Sequence, residues 1–325
     1  MAKYVISGYI GFDNFGDEAI ARTLIEHLKQ IGADKITAIS GNPSKTKKIY
    51  NCEAVKLLNF IKPILHSDIL ISGGGSLLQD ITSLKSLIYY LTVITTALIL
   101  RKKVYIFAQG ITPFRTKIGK FLTTLVLKHC DRISVRDFQS QKLLTALGIN
   151  SELIADPVFG ATVSNNQTHQ DIGIQLRNFE GLNDEFLNKL ADEIISNFKD
   201  KKIKLFSLQD NIDLPIIDKF AKILIANQCN VEIYKNMSVE ETITKLSQLE
   251  YLIGMRFHAC LIAAKAGVKV LGINYDIKVK TIAENVGFST ISLSGTDIKN
   301  GIKSILETNP ENYTIPDFKF PNLMP

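Results

Sequence analysis

Short apolar runs alternate with helical stretches along almost the whole chain, and no other feature restricts its fold as much. KYVISGY (3–9), KITAIS (35–40), DILISGGG (68–75), KVYIFAQG (103–110) and RISVRD (132–137) read as strands. Between them the period turns helical over 17–31, 57–66, 84–101, 116–129 and 137–147. Strands that are apolar on both faces and separated by helices predict a parallel, doubly wound sheet. The pattern pauses near Asp156-Pro157, and the polar stretch SNNQTHQ (164–170) reads as a linker. It then restarts with DIGIQL, a helix over 184–198, KIKLFSLQ, a helix over 215–227, NVEIY, a helix over 238–248, EYLIGM, a helix over 258–267 and VKVLGIN.

The chain has 325 residues, about twice the usual ~150-residue domain. The reading is therefore α/β with two Rossmann-like domains, 1–163 and 171–308, and a cleft between the lobes. Residues 309–325 form a C-terminal tail whose four prolines predict an extended strap or a frayed end.

Composition removes several classes of function. Hydrophobic residues at 46% and charged residues at 22% exclude a disordered or disulfide-stapled chain. The formal charge of +6 suits anionic substrates or a membrane surface, and no dense basic run with interleaved aromatics points to nucleic acid. Cys52, Cys130, Cys229 and Cys260 are too scattered for a zinc site, so no metal is expected. The N-terminal apolar run is too short for a signal peptide. The longest apolar stretch, Leu87 to Leu100, has 14 residues; as a helix it reaches roughly 21 Å against a ~30 Å hydrocarbon core. It reads as a helix packed on a sheet, while its flanks, Lys85 and Arg101-Lys102-Lys103, suit shallow contact with anionic lipid. The expectation is a cytoplasmic protein that reaches the inner face of the plasma membrane peripherally.

In open parallel sheets, ligands bind beyond the carboxyl ends of the strands. Five motifs at strand ends, and two single residues at others, are candidates to carry chemistry. G-Y-I-G-F-D-N-F-G-D-E-A (Gly8–Ala19) reads either as an anion-approach loop opening a helix or as a tight turn with Asp17 as N-cap and Glu18 in the first turn. S-G-G-G-S-L-L-Q-D (Ser72–Asp80) leaves room for a ligand or another backbone, and in A-Q-G-I-T-P (Ala108–Pro113) Gln109 and Thr112 are candidates to bond a sugar. S-V-R-D (Ser134–Asp137) ends in Arg136, which suits a carboxylate or phosphate, or else a structural pair with Asp137 or Asp156. In Y-L-I-G-M-R-F-H (Tyr251–His258), Arg256, His258 and a helix N-terminus converge on one point, an arrangement for an anion plus proton transfer. Lys278 follows the next strand at the same edge, and Asp210 ends KIKLFSL as a candidate base or helix cap. His27, His66, His129 and His169 have no acidic partner nearby in sequence and read as structural or solvated.

Taken in order, G-x-x-G-F-x-N-x-G-D-E, G-G-G-S-L-L-Q-D, A-Q-G-I-x-P, S-V-R-D, D-P-V-F and G-M-R-x-H…Y-D-x-K resemble the polysaccharide pyruvyltransferase family, over about residues 4–290. The likeness is greatest to the cell-wall-polymer (CsaB-type) branch that prepares S-layer anchoring sites. The resemblance implies a glycosyltransferase-B-like fold. It also implies transfer of a pyruvyl group from phosphoenolpyruvate to a lipid-linked sugar as a 4,6-ketal, with no cofactor beyond that donor substrate. The sugar implied is N-acetylmannosamine. By motif matching, Arg136, Arg256, His258 and Lys278 hold phosphoenolpyruvate, and His258, Lys278 and Asp210 are catalytic. Tyr9, Phe12, Asn14, Asp17, Gly74, Gln79 and Gln109 fall on the acceptor side, in the first domain, with the donor in the second. Two positions depart from the family pattern: Ile10 stands where a Tyr is expected, preceded by Tyr9, and Ile277 replaces a common Pro. A nucleotide-sugar-dependent glycosyltransferase or epimerase is the alternative for the same two-lobed architecture.

Overall fold

A computed structural model describes residues 2–81, 83–163 and 170–324. The chain divides into two compact units, Met1–Ala161 with Asp317–Pro325, and Thr162–Pro316. The expected linker falls almost entirely on 164–169, outside the described residues, as does His169.

The first unit runs β1 (Lys3–Ser7), α1 (Phe15–Gln30), β2 (Lys35–Ser40), α2 (Pro43–Tyr50), β3 (Glu53–Lys56), α3 (Ile61–Leu65) and β4 (Ile69–Gly73). It continues through α4 (Leu84–Ile99), β5 (Lys103–Gln109), α5 (Lys117–Leu127), β6 (Arg132–Val135), α6 (Phe138–Ala146) and β7 (Glu152–Leu153). Among the described residues its sheet is parallel throughout, in the order β3-β2-β1-β4-β5-β6-β7. The order reverses direction at β1/β4, so the edge at the ends of these two strands is a topological switch point. Right-handed crossovers put α4, α5 and α6 on one face of the sheet and α1 and α2 on the other.

The second unit runs β8 (Ile172–Gln175), α7 (Asp184–Phe198), β9 (Ile203–Phe206), α8 (Asp210–Ala226), β10 (Val231–Tyr234) and α9 (Val239–Ser247). There follow β11 (Tyr251–Gly254), α10 (Phe257–Lys265), β12 (Lys269–Asn274), α11 (Ile277–Val286), β13 (Ser289–Ser292) and α12 (Ile298–Glu307). Its parallel sheet has the order β10-β9-β8-β11-β12-β13, with the switch at β8/β11. Two parallel α/β sheets are thus present, as the alternation predicts.

Several local expectations are corrected. Helix α1 begins at Phe15, and its N-cap is Asn14, whose side chain accepts from the Gly16 N–H; Asp17 sits in the first turn. Helix α8 begins at Asp210 rather than at Pro215, which lies inside it. Helix α2 and strand β3 occupy a stretch to which the sequence pattern assigns no element, although Asn42 caps α2 and Pro43 is its first residue. Helix α4 turns Leu87, Tyr90, Leu91, Val93, Ile94 and Ala97 inward, so six of the fourteen residues of the Leu87–Leu100 run are core. Among the described residues no helix is long and apolar enough to cross a membrane.

The tail does not fray. Tyr4 and Tyr105 donate their hydroxyls to the carbonyls of Leu323 and Met324, at 3.2 and 2.9 Å. Phe320 stacks on both His27 and Phe107.

Candidate active-site edges

At the β1 end of the first unit, the ring of Tyr9 stacks on Phe12 with centroids 4.2 Å apart and planes 9° from parallel. Ile10 points into the core. Tyr9, not Ile10, is thus the residue stacked on Phe12. Gly41 allows this, since a Cβ there would come within 2.8 Å of the Phe12 ring. Beneath the loop, Glu18 accepts from the Gly11 N–H at 2.7 Å and from the Tyr50 hydroxyl at 2.5 Å. Burial raises the Glu18 carboxyl above the usual range, and these bonds only partly offset it. Gly11 needs its left-handed backbone (φ +80°) to present that amide.

The glycine loop after β4 sits against the same helix start. A Cβ on Gly75 would lie 2.5 Å from the Asp17 carboxylate. Tyr90 of α4 is close by, its hydroxyl raised by burial and then by the Asp17 charge. Gln109 is fully buried, its Oε1 accepting from Leu77 N–H (3.2 Å) and its Nε2 donating to Gly74 O (3.2 Å), so it braces the glycine loop. Gln79 is partly exposed and accepts from the Ile81 N–H at 2.7 Å. Gly74 is buried at φ +69°, packed on Ile20. Asp80, closing this motif, accepts from the amides of Arg115 (2.7 Å) and Thr116 (2.8 Å) and so fixes the start of α5.

Arg136 lies just past β6. Its guanidinium donates to Asp156 at 2.6 Å and to the Ser76 hydroxyl at 3.2 Å, with both members of the ion pair buried. The structural pairing left open by the sequence is thus present, and it is with Asp156.

The second unit repeats this device at its own edge. Arg256 follows β11, and its Nε and Nη2 form a two-pronged pair with Asp213, at 2.8 and 2.7 Å. Asp213 is fully buried and also accepts the backbone amides of Leu208 (3.0 Å) and Gln209 (3.1 Å) and the side-chain amide of Gln175 (3.3 Å). Gln175 in turn accepts from the Arg256 N–H at 2.7 Å, and Gln209 accepts from its Nη2 at 3.1 Å. One carboxylate therefore ties the ends of β8, β9 and β11 together. The full-strength cation expected at Arg256 is offset by a residue the sequence reading passed over. Asp210 is not the carboxylate that reaches this turn, because it accepts from Ser207 (2.5 Å) and the Asn236 N–H (2.9 Å), between the ends of β9 and β10.

His258 is the second residue of α10, partly buried, its ring edge-on to Phe257 at 4.8 Å. Behind it, residues 259–264 of the helix are apolar and buried, and Gly254 lets the helix approach β11, since a Cβ there would meet Cys260 Sγ at 2.9 Å. Cys260 is inert, its thiol pushed up to about 12 by burial. Lys278, partly buried, opens α11 beside the cap Asp276.

A further cation of this edge is Arg177. Gln175 and Gly254 are register partners, so Arg177 and Arg256 each stand two residues beyond the same step of adjacent strands. The Arg177 backbone N–H contacts Met255 Sδ at 3.3 Å, and its Nη1 donates to Tyr275 Oη at 3.4 Å. Its Nε is buried without a hydrogen-bond partner, and among the described residues no carboxylate pairs with it. No cluster of His, Cys, Asp or Glu able to hold a metal ion occurs among the described residues.

These paired sheets and their loaded strand ends define a glycosyltransferase-B-like class of two-unit α/β protein. The chain superposes on UDP-GlcNAc 2-epimerase from Methanocaldococcus jannaschii with a TM-score of 0.69 at 13% identity, covering 97% of this chain and 95% of that one. The S. aureus MnaA–UDP structure gives 0.70 at 11% identity, covering 96% and 90%. A glycosyltransferase from Rickettsia africae gives 0.58 at 14% identity, covering 94% of each. At such identities these likenesses concern the fold alone. No curated protein sequence matches. The family model for polysaccharide pyruvyl transferase matches residues 14–277, and the chain belongs to that family.

Proposed function

We propose that the chain transfers a pyruvyl group from phosphoenolpyruvate to two hydroxyls of one sugar, forming a 4,6-ketal and releasing phosphate. The acceptor we assign is N-acetylmannosamine on a lipid-linked precursor of a secondary cell-wall polysaccharide, the S-layer anchoring branch of the family. Such an acceptor would set the reaction at the inner face of the plasma membrane. The observation that carries the donor assignment is the β8/β11/β12 edge, where Arg177, His258 and Lys278 follow the ends of adjacent strands, as does an Arg256 held by Asp213. A ligand with both a carboxylate and a phosphate suits several cations next to a helix N-terminus.

The bonds balance simply. Two C–O bonds form at C2 of the donor, and its bond to the phosphate oxygen breaks. The two hydroxyl protons end on the methylene carbon, which becomes methyl, and on the departing phosphate. His258 is assigned the proton transfer, Lys278 and Arg177 the anion, and Arg256 a positioning role for the His258 turn. On the acceptor side, the Tyr9–Phe12 stack offers an apolar platform for a sugar face, with Asp17 as hydroxyl acceptor.

The direct test is phosphate release from phosphoenolpyruvate with and without a diphosphate-lipid disaccharide ending in N-acetylmannosamine, followed by acceptor mass. Release with a gain of one pyruvate minus one water supports donor and acceptor together. Phosphoenolpyruvate binding without release overturns the acceptor. Neither binding nor release overturns the donor and favours a nucleotide sugar. Arg177→Ala is expected to raise the KM for phosphoenolpyruvate by about 10- to 100-fold, the scale of one charge-assisted bond of roughly 1.5–3 kcal/mol. An unchanged KM removes Arg177 from the site.

A further inference from the structure

Helix α5 packs Leu122, Val126 and Leu127 on the core and yet carries a second apolar face outward. It buries Gly119, Thr123 and Leu127, while Ile118, Phe121 and Leu125 are 62%, 66% and 48% exposed. Spacings of three and four residues put these three on one face. A surface helix normally turns polar residues outward. The inward choice of small residues has a local cause: a Cβ on Gly119 would lie 2.5 Å from the Asp80 carboxylate that fixes the helix start.

The charge around this face is one-sided. From Ile81 to Cys130, fifty residues, the sequence has eight Lys and Arg and no Asp or Glu. Exposed Lys117, Lys120 and Lys128 lie on α5 or at its end, with exposed Arg115 just before it. Helix α4 packs beside α5 and adds exposed Ile88 and Ile99, with Lys85 at its start and Arg101 just beyond its end. An apolar stripe rimmed by cations, with exposed Asp131 only beyond the end of α5, matches the interface of an anionic bilayer, where apolar side chains enter the headgroup boundary and lysines meet lipid phosphates.

We propose that the α5 face, with the outer side of α4, docks the first unit on an anionic membrane surface. The proposal stands on this surface alone and is independent of the donor and acceptor assignments. It also shifts the lipid contact expected from Leu87–Leu100, six of whose residues are buried, chiefly to the neighbouring helix, with Ile88 and Ile99 still contributing. The N-terminal end of α5 follows the β5 end, so docking would present the lipid side to the edge that carries the glycine loop.

The test is sedimentation of the whole protein with vesicles of phosphatidylcholine alone and with added phosphatidylglycerol. Binding is expected only to the anionic vesicles, and weakened by salt. Lys117→Glu and Lys120→Glu should each weaken it by about fivefold or more, the scale of one basic residue at a charged surface. Phe121→Glu should weaken it further with an unchanged melting curve. Equal binding to both vesicle types, or none to either, overturns the proposal. So does self-association in sedimentation velocity that Phe121→Glu abolishes, which would make a second copy of the chain the occupant.

Discussion

Asp213→Ala is expected to destabilise the second unit by about 3–5 kcal/mol, the usual cost of leaving a buried charge without its partner. Arg256 would keep its buried guanidinium while losing both prongs of the pair, and the amides of Leu208 and Gln209 would lose their acceptor. A domain's whole stability is about 5–15 kcal/mol, so the loss would show as a large drop in urea midpoint. Asp213→Asn, which keeps an acceptor for the amides, should fall between. Replacing both partners by apolar residues, Asp213→Leu with Arg256→Met, should cost less than Asp213→Ala alone, because no orphaned charge remains. A loss below about 1 kcal/mol in Asp213→Ala would mean that the carboxylate is not a clasp.

His258→Ala is expected to lower kcat for pyruvyl transfer by about 100- to 10,000-fold, the range of one positioned acid–base group. The melting curve should be nearly unchanged, since the ring is only partly buried and the helix behind it is packed through other residues. Phosphoenolpyruvate affinity should change far less than kcat, because the anion contacts are assigned chiefly to Arg177 and Lys278. Near-normal turnover would remove His258 from the proton-transfer role. A parallel loss of donor binding would make it an anion ligand instead.

The strands were readable because they are buried on both faces and so appear as continuous apolar runs between polar caps; helix 184–198 was readable to the residue. Helix α2 carried a signal that went unused, since Asn42-Pro43 is an N-cap followed by the one position where Pro costs nothing. The start of α8 was misplaced because Pro215 resembles a helix opening, while the true opening is shared among the Gln209 carbonyl, Asp210 and Asp213. Within the candidate site, Arg256, His258 and Lys278 stood out through their places after strands. Asp213 did not, because its partner is 43 residues away in sequence and only the adjacency of strand ends brings the two together. Arg177 was legible in principle. It stands as far beyond DIGIQ as Arg256 stands beyond YLIG, and matching the two strand ends would have found it. The burial of Gln109 was not legible either: its residue type suits a sugar, while its side chain bonds the glycine loop.

The tail carries a consequence for how the chain is made. Residues Asp317–Pro325 complete the first unit, yet they leave the ribosome only after the entire second unit. Until then Tyr4 and Tyr105 lack their carbonyl partners, and the faces of His27 and Phe107 that Phe320 covers stay open to water. The N-terminal half of the chain therefore waits, unfinished, through the synthesis of the other half, and closes only once Phe320, Leu323 and Met324 have emerged.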